Sequence, residues 1–333
     1  MKLLLLDITF VFSCFGFSQV SDFNYINFSK ANNRAKLLKG ESLNNLPLLS
    51  YKLTEGLETD VEKFRAIYLW VCQNISVDLV QANNVINMRK KYSNDSIAFY
   101  HLNSSQLRKT FNRLIKKRKT MCTGYAFLIR ELSYFANIEC EIINGYGRTA
   151  TSNIGSLNLP NHSWNSVKLN NKWFLCDAIW ASGYEKNGHF VRDYNNGYFL
   201  SDPILFSKNH YPLEKKWLLQ NKLINSKFEA TPIVYGGAFK HNITPIYPEK
   251  LITEVKKNQN IKFKLKTQES IHISKIKLIQ FLPNYELNIP VYNLKKVNDL
   301  IYFSSKLKSG GSYDIHLKIE NDIIATYTFK VSK

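Results

Sequence analysis

The sequence predicts an α+β protein in which helices pack on an antiparallel sheet and a small all-β sandwich follows. Apolar residues recur with helical spacing up to about residue 137, and alternating runs joined by turn residues begin at 138. Helices followed by antiparallel strands are typical of this class, whereas strict alternation of strand and helix would indicate a parallel sheet. A length of 333 residues with 44% hydrophobic residues fits two folded domains.

The N-terminus is predicted to be a signal peptide, residues 1–18. A lysine precedes the apolar run Leu3–Phe17, and Gly16 and Ser18 supply the small residues that precede a cleavage site. An alternative is a lipoprotein that is modified at Cys14. We therefore expect an exported protein in the periplasm, at the cell surface or secreted, without a transmembrane helix in the mature chain.

Helices are predicted in the next part of the chain. Residues 19–58 have weak periodicity and predict a loose leader with one short helix. The first clear helix starts at Thr59 or Asp60, which can cap it, and places its apolar residues at helical spacing. Two further helices are predicted over 105–117 and 121–137, within a core domain of residues 59–228.

Antiparallel strands follow these helices. Ile138–Tyr146, His162–Leu169 and Lys172–Ile179 have strand character, and residues 180–225 are predicted to be irregular. The dipeptide at 170–171 is Asn-Asn, which tolerates positive φ and suits a two-residue hairpin turn. Such a turn fixes the pairing, so that partner numbers add up to 341.

Residues 229–333 are predicted to form an immunoglobulin-like β-sandwich, because short alternating runs are separated by turn residues. The predicted strands are Ile261–Leu265, Ile271–Ile276, Leu300–Phe303, Tyr313–Ile319 and Ile323–Val331.

The hairpin register brings two polar residues together. Asp177 falls opposite Trp164 and His162 opposite Ile179, which makes His162 and Asp177 diagonal neighbours on one face. Diagonal neighbours are roughly 7–8 Å apart at the backbone, close enough for an imidazole to bond a carboxylate. A carboxylate in this position orients a general base and stabilises its charged form.

Cys122 is the candidate nucleophile, since it begins a predicted helix. The partial positive charge of a helix N-terminus favours a thiolate, and a neighbouring imidazolium favours it further. The N–H of Cys122 is a candidate oxyanion donor, and the second donor is left open. Each residue type alone is more often structural, so the prediction depends on Cys122, His162 and Asp177 acting together.

Three aromatic residues are predicted to line the substrate cleft: Trp164, Trp180 and Tyr125. Core packing is the alternative for both tryptophans, and Tyr125 is expected to pack beside the nucleophile rather than to react. His189 and His210 are interpreted as capping or packing residues.

Four segments resemble the transglutaminase-like superfamily. They are Trp70 to Ile75 (W-x-x-x-N-I), Cys122 to Ala126 (C-x-G-Y-A), His162 to Val167 (H-x-W-N-x-V) and Asp177 to Trp180 (D-x-x-W). Later segments around Asp202-Pro203 and His210 to Pro212 resemble the branch that contains the kyphoscoliosis peptidase. The resemblance implies a papain-like thiol fold with Cys122, His162 and Asp177 as its triad.

No metal or cofactor is expected. The chain has no CxxC pair and no D-x-D-x-D-G loop, which are typical of zinc and calcium sites. Absence of the calcium loop also weakens the cross-linking interpretation, since the calcium-dependent cross-linkers belong to the same superfamily.

The net charge of +19 suggests a polyanionic partner. Lys and Arg are concentrated between Arg108 and Lys119, immediately before Cys122. The basic residues are not interleaved with aromatics and no recognition motif is present, which disfavours nucleic acid. A solvated helix face is the simplest interpretation, and an anionic envelope surface or a field that supports a Cys122 thiolate is the alternative.

The sequence therefore predicts an exported cysteine hydrolase that cleaves peptide or amide bonds through a thioester. A non-catalytic envelope-binding module with a relic triad and acyl transfer to amines are the two alternatives.

Overall fold

The computed structural model describes residues 19–92, 109–157, 159–219, 227–267 and 271–333. The predicted signal peptide 1–18 and the first residues of the helix predicted at 105–117 lie outside these ranges. The described chain combines helices with antiparallel sheets and continues into a β-rich C-terminal region. The predicted α+β class is confirmed.

The helices are α1 (Ser29–Leu37), α2 (Leu46–Thr54), α3 (Asp60–Asn74), α4 (Leu79–Lys91), α5 (109–117), α6 (Cys122–Phe135), α7 (Ala178–Ser182), α8 (Pro203–Phe206) and α9 (Gly236–Lys240). The strands of the first part are β1 (Ser76–Val77), β2 (Lys119–Thr120), β3 (Cys140–Gly147), β4 (His162–Leu169), β5 (Lys172–Cys176), β6 (Gly183–Lys186), β7 (His189–Arg192) and β8 (His210–Pro212). None of the helices in these ranges is both long and apolar enough to cross a membrane.

The sequence predicted a loose leader with one short helix over residues 19–58, whereas the structure has two α-helices there that pack on the core. These residues form a 3-10 helix, α1 and α2, and the Ser50 hydroxyl in α2 donates to the Leu132 carbonyl in α6 at 2.7 Å. The prediction was wrong because α1 buries only small side chains, Ala31 and Ala35, which give little helical periodicity. Burial against α3 and α6 stabilises these short helices.

α3 begins where the sequence predicted. The Thr59 hydroxyl accepts from the Glu62 N–H, and the Glu62 carboxylate accepts from the Thr59 N–H, which forms a capping box. Ten residues of this helix are buried. The Tyr68 hydroxyl donates to the Asp177 carbonyl at 2.9 Å, so α3 supports the chain at the end of β5.

The central sheet has the strand order β5-β4-β3-β8, and all its pairs are antiparallel. The hairpin pairs Leu169 with Lys172 and Asn165 with Cys176, as the two-residue turn predicted. Both turn asparagines have positive φ, 48° at 170 and 60° at 171.

Two predictions for this region were wrong. β5 ends at Cys176 rather than Ile179, because Asp177 caps α7 and turns the chain into a helix. The segment 180–225, predicted to be irregular, contains β8, whose residues His210–Pro212 extend the central sheet beside β3.

The strands of the C-terminal region are β9 (Ile233–Val234), β10 (Ile243–Tyr247), β11 (Ile252–Lys256), β12 (Ile261–Thr267), β13 (Ile276–Leu282), β14 (Tyr285–Ile289), β15 (Tyr292–Val297), β16 (Leu300–Ser305), β17 (Gly311–Ile319) and β18 (Asp322–Ser332). They form a four-stranded sheet, β10-β12-β16-β15, and a second sheet with the path β11-β18-β17-β13-β14, to which β9 pairs through β18.

The two C-terminal sheets face each other through aromatic rings. Phe263 in β12 stacks on Phe303 in β16, with ring centroids 4.8 Å apart, and its edge meets Tyr327 in β18 at 5.4 Å. The predicted strand Ile271–Ile276 was wrong, since a 3-10 helix, Ile273–Lys275, precedes β13 there.

A buried arginine joins the two parts of the chain. Arg148, which follows β3, is 2% exposed and donates to the Thr231 hydroxyl and to the carbonyls of Glu229 and Pro232. These bonds tie the segment that enters the sandwich to the end of β3.

Candidate active site

Cys122 is the first residue of α6 and its side chain is half-buried. The N-cap residue, Met121, offers no side-chain acceptor to the first turn, in contrast to Thr59 in α3. Amides of this turn are therefore not occupied by a capping side chain, and their partial positive charge favours a thiolate at Cys122.

Steric contact explains why a glycine occupies position 124 of the C-x-G-Y-A segment. A Cβ at Gly124 would be 1.9 Å from the Thr120 hydroxyl, so a larger residue cannot occupy this position without moving β2. Thr120 pairs with Val77, which links β2 to the chain after α3. Gly124 therefore lets the first turn of α6 pack closely against β2.

His162 is the first residue of β4 and is 8% exposed. Its Nε2 lies 2.7 Å from Asp177 Oδ2. The His162 side chain also hydrogen-bonds the Cys122 thiol. The register prediction placed His162 and Asp177 together, and the structure brings them together with Cys122.

Electrostatics favour a charged cysteine–histidine pair. Burial raises the pKa of the Cys122 thiol, but the hydrogen bond and charge of His162 outweigh it and leave that pKa below its ordinary value. Burial opposes the charging of His162, but the charge and hydrogen bond of Asp177 raise its pKa to about 10. Both shifts favour a thiolate beside an imidazolium over the neutral pair.

Both oxygens of Asp177 are engaged. Oδ1 accepts from the N–H groups of Ile179 and Trp180, at 2.9 and 3.1 Å, as the cap of α7. Oδ2 is shared by the Nε2 atoms of His162 and His210, at 2.7 and 3.0 Å. Although burial would raise the pKa of this carboxyl, the two imidazoles hold it well below its ordinary value.

His210 is the site residue that the sequence interpretation missed. It was interpreted as a capping or packing residue, but its side chain contacts Asp177 from β8, on the far side of β3 from β4. Burial lowers the pKa of His210 to about 4 despite the nearby carboxylate, so this imidazole is neutral at pH 7. The His210-Tyr-Pro212 segment was the available signal. His189, in contrast, is exposed.

The predicted cleft residues have different environments. Trp180 is half-buried and stacks on the His162 ring at 4.7 Å with an interplanar angle of 27°. Trp164 is 2% exposed and packs on Phe206 and His210, which makes it core rather than cleft wall.

Tyr125 is also a core residue. It is 1% exposed, and its hydroxyl donates to the Ile75 carbonyl at 2.8 Å. The substrate-contact predictions for Trp164 and Tyr125 therefore disagree with their burial, since neither presents an accessible surface. Trp180 is half-buried beside His162, and its role as a substrate contact stays a prediction.

Two glycines in β3 accommodate the aromatic residues of β4. A Cβ at Gly147 would be 3.0 Å from the His162 ring and 3.1 Å from Trp180. At Gly145 it would be 2.2 Å from the Tyr211 carbonyl oxygen and 2.6 Å from Trp164. The absence of side chains here lets the His162 ring lie against β3.

A metal ion could be considered at this cluster. Ligand atoms of His162, Asp177 and His210 all lie within 4.8 Å of one another. The carboxylate oxygen, however, bonds both imidazoles at hydrogen-bonding distances, and the group is buried. These three side chains are therefore hydrogen-bonded to one another through the Asp177 carboxylate.

The basic segment before Cys122 is largely exposed within its described residues. Lys109, Lys116, Lys117 and Lys119 are exposed, as expected for a solvated helix face. The arginines of this segment have structural partners, since Arg113 pairs with Asp78 and Arg118 donates to the carbonyls of Gly40 and Glu41.

The free cysteines other than Cys122 in the described residues are Cys72, Cys140 and Cys176, and all three are buried. Burial raises the pKa of each thiol, to about 12 at Cys140. Among the described cysteines Cys122 is thus distinguished by its lowered pKa and partial exposure.

Residues 48–178 match the sequence profile described as the Transglutaminase-like superfamily. This segment contains Cys122, His162 and Asp177, whereas His210 lies beyond its end.

Curated proteins and solved structures were also compared with the chain. It is 31% identical over 174 residues to the kyphoscoliosis peptidase of Homo sapiens, covering 50% of this chain and 23% of that protein. It is 25% identical over 201 residues to Hillarin of Drosophila melanogaster, covering 56% of this chain and 22% of that one. The chain thus spans less than a quarter of the length of either relative.

A solved structure described as a TGase shares 16% identity, covers 55% of this chain and 41% of its own, and has a TM-score of 0.29. A TM-score this far below 0.5 indicates weak overall similarity.

Proposed function

Because residues 48–178 belong to the transglutaminase-like superfamily, we propose that this protein is a cysteine hydrolase that cleaves peptide or amide bonds. The family match supports a domain of the cysteine hydrolase or acyltransferase type. Within that type, we infer hydrolysis of a peptide or amide bond.

The observation that carries the proposal is the electrostatic coupling of Cys122 to His162. The pKa of the Cys122 thiol is lowered and that of the His162 imidazole is raised, although burial alone would shift each pKa in the opposite direction. Burial of an imidazolium is costly unless it is compensated, and the Asp177 carboxylate 2.7 Å from His162 Nε2 supplies the compensation. Perturbed pKa values of this kind are concentrated at functional sites.

The proposed reaction has two steps. Cys122 Sγ attacks the carbonyl carbon, a C–S bond forms, and collapse of the tetrahedral adduct breaks the C–N bond. The imidazolium of His162 gives its proton to the leaving amine. Water then attacks the thioester and gives a proton to His162. The C–S bond then breaks, the carboxylic acid is released, and the Cys122 thiolate and the His162 imidazolium are regenerated.

Asp177 and the start of α6 stabilise the charges that develop in these steps, on His162 and on the oxyanion. Asp177 keeps the His162 ring oriented and stabilises its protonated form. The N–H of Cys122, at the uncapped start of α6, is the proposed oxyanion donor. Trp180 covers one face of the His162 ring, which restricts water access to the base.

Hydrolysis is favoured over transfer by the relatives. Human kyphoscoliosis peptidase, which the chain resembles at 31% identity, is named for peptidase activity. Within the described residues, the group of possible ligands is His162, Asp177 and His210, which does not resemble a calcium site rich in oxygen ligands.

Product analysis tests this proposal. The full chain is incubated with a mixture of short peptides, with and without added methylamine, and products are identified by mass spectrometry. Hydrolysis predicts free carboxylic acids in both arms, whereas acyl transfer predicts methylamide products in the second arm. Cys122→Ala should abolish either product, and the matched control Cys140→Ala, at a buried thiol, should not.

A Cys122→Ala protein that retains wild-type turnover would refute catalysis by this residue. If neither arm gives a product with any peptide and Cys122 reacts no faster than an ordinary thiol, the non-catalytic binding module becomes the better account.

We also propose export, with removal of residues 1–18, and a peptide or protein substrate at an anionic envelope surface. The apolar start of the chain and its net charge of +19 support this proposal. Mass spectrometry of the protein from its native cell should find a mature form that begins at Gln19, or one lipidated at Cys14. An intact N-terminus in the cytosolic fraction would refute export.

A further inference from the structure

The Asp177 carboxylate is held by more donors than a simple triad needs. Two backbone N–H groups of α7 and two imidazoles converge on it, at distances between 2.7 and 3.1 Å. The two α7 amides donate because Asp177 is the N-cap of that helix, and His162 donates because it is the proposed base. Neither reason applies to the fourth donor, His210.

His210 is rigidly placed. Its ring stacks on Phe206 at 3.9 Å with an interplanar angle of 17°, and Trp180 lies 4.4 Å away. The carbonyl of the preceding residue, Asn209, accepts from the Arg148 N–H at 2.8 Å, which ties this part of the chain to β3. The imidazole therefore cannot follow a carboxylate that moves, and it constrains the carboxylate instead.

The hydrogen bonds of His210 define its tautomer. A neutral imidazole has one N–H, and Asp177 can only accept, so the proton belongs on Nε2. Nδ1 lies 2.6 Å from Asn209 Oδ1, so the neutral tautomer with its proton on Nε2 requires the carboxamide to turn and present its NH2 group to Nδ1. The Tyr198 hydroxyl bonds to the same carboxamide and completes a buried network.

We propose that His210 is a positioning residue, whose Nε2–H holds the Asp177 carboxylate in the orientation that serves His162. This inference rests on the proposed function, since it extends the same site by one residue beyond the family match at 48–178. It differs from a packing role because it requires an N–H at one position.

The other titratable groups around Asp177 cannot supply this donor in the acid range. Burial raises the pKa values of Cys72, Cys176, Tyr68 and Tyr198, so that these groups remain neutral. The Tyr68 hydroxyl donates to the backbone carbonyl of Asp177, not to its carboxylate. Only His162, His210 and the α7 amides donate to the carboxylate in the described structure.

The test compares three variants of the full chain. His210→Gln and His210→Met have similar size and both lose the ring, but only Gln carries an N–H that can reach Asp177. His210→Phe keeps the aromatic packing on Phe206 and has no N–H. A positioning role predicts that Gln retains most of kcat, and that Met and Phe lose about 10-fold or more with little change in KM.

The alkylation rate of Cys122 as a function of pH is the second readout, and it needs no substrate. Loss of a donor raises the Asp177 pKa and leaves more uncompensated negative charge near the thiolate. The acid limb of the alkylation profile should therefore move to higher pH in the Met and Phe variants, by about 0.5 pH unit or more. The Gln variant should keep the wild-type limb.

Two results would overturn the inference. Equal profiles in the Gln and Met variants, or a Phe variant with wild-type kcat and acid limb, would show that only packing matters. If the wild-type protein cleaves no peptide, the hydrolase proposal fails, while the acid limbs still decide the role of His210. Circular dichroism checks that each variant folds. If the His210→Phe variant does not fold, the comparison of His210→Gln with His210→Met tests the inference without it.

Discussion

The Asp177 carboxylate bonds His162 through one oxygen, at 2.7 Å, and caps α7 through the other. One side chain thus ends β5, starts a helix and orients the base beside Cys122. The same residue links local structure to chemistry, so its two roles can be separated by substitution.

Replacement of Asp177 by Asn should separate them. Asn is also a good N-cap and keeps α7, but it removes the charge that raises the pKa of His162. We expect kcat to fall about 100-fold or more with little change in the far-UV circular dichroism. The matched control is Asp202→Asn at the cap of α8, where the carboxylate accepts from Ile204 and Leu205 and activity should not change. Near-wild-type kcat in the Asp177 variant would contradict the assigned role.

The stability of the protein should depend on the protonation of His162. Its pKa is raised from 6.5 to about 10, so the protonated form stabilises the fold. That contribution is fully present below the unfolded-state value and is lost as the pH rises toward the folded-state value. Urea unfolding should show a larger loss of unfolding free energy between these two pH values for wild type than for His162→Gln. Equal losses in wild type and His162→Gln would contradict a stabilising contribution from protonated His162.

Gly147→Ala should disturb the site more than the fold. The new Cβ would be 3.0 Å from the His162 ring, which must shift by a few tenths of an ångström. We expect kcat to fall by about 5- to 50-fold, since small displacements of catalytic groups are costly. Gly310→Ala is the control, because its Cβ would meet only the Val331 carbonyl at 3.5 Å. Unchanged kcat in the Gly147 variant would show that the ring tolerates displacement.

Arg148→Met should destabilise the chain. It would leave the acceptors at Thr231, Pro232 and Glu229 without their buried donor. The expected loss of unfolding free energy in urea is about 2–4 kcal/mol. Arg130→Met, at a partly exposed pair with Glu131, should cost less than about 1 kcal/mol. A similar small effect at both positions would argue against Arg148 as the link to the sandwich.

Much of the site could be predicted from local sequence rules. The turn at 170–171 set the register of β4 and β5, and the register placed His162 near Asp177. The helix start at Cys122 was also predicted, because helical periodicity resumes there. These features depend on neighbours in sequence, which local propensity describes well.

Other features depend on distant contacts. His210 is 33 residues from Asp177, and its strand of three residues, β8, pairs with β3. A strand this short has no detectable alternation, so no local signal separated it from a loop. In residues 19–58 the sequence predicted only one short helix, without bounds, because α1 is stabilised by packing rather than by its own periodicity.

The central claim is that Cys122 is a thiolate held by His162, and the rate of its alkylation tests this most directly. Iodoacetamide labelling at pH 6 is followed by peptide mass spectrometry in wild type, His162→Gln and a free cysteine peptide. We predict that Cys122 reacts at least about 10-fold faster than the peptide and that His162→Gln removes the difference. A Cys122 rate equal to that of the peptide, unchanged by His162→Gln, would contradict the account.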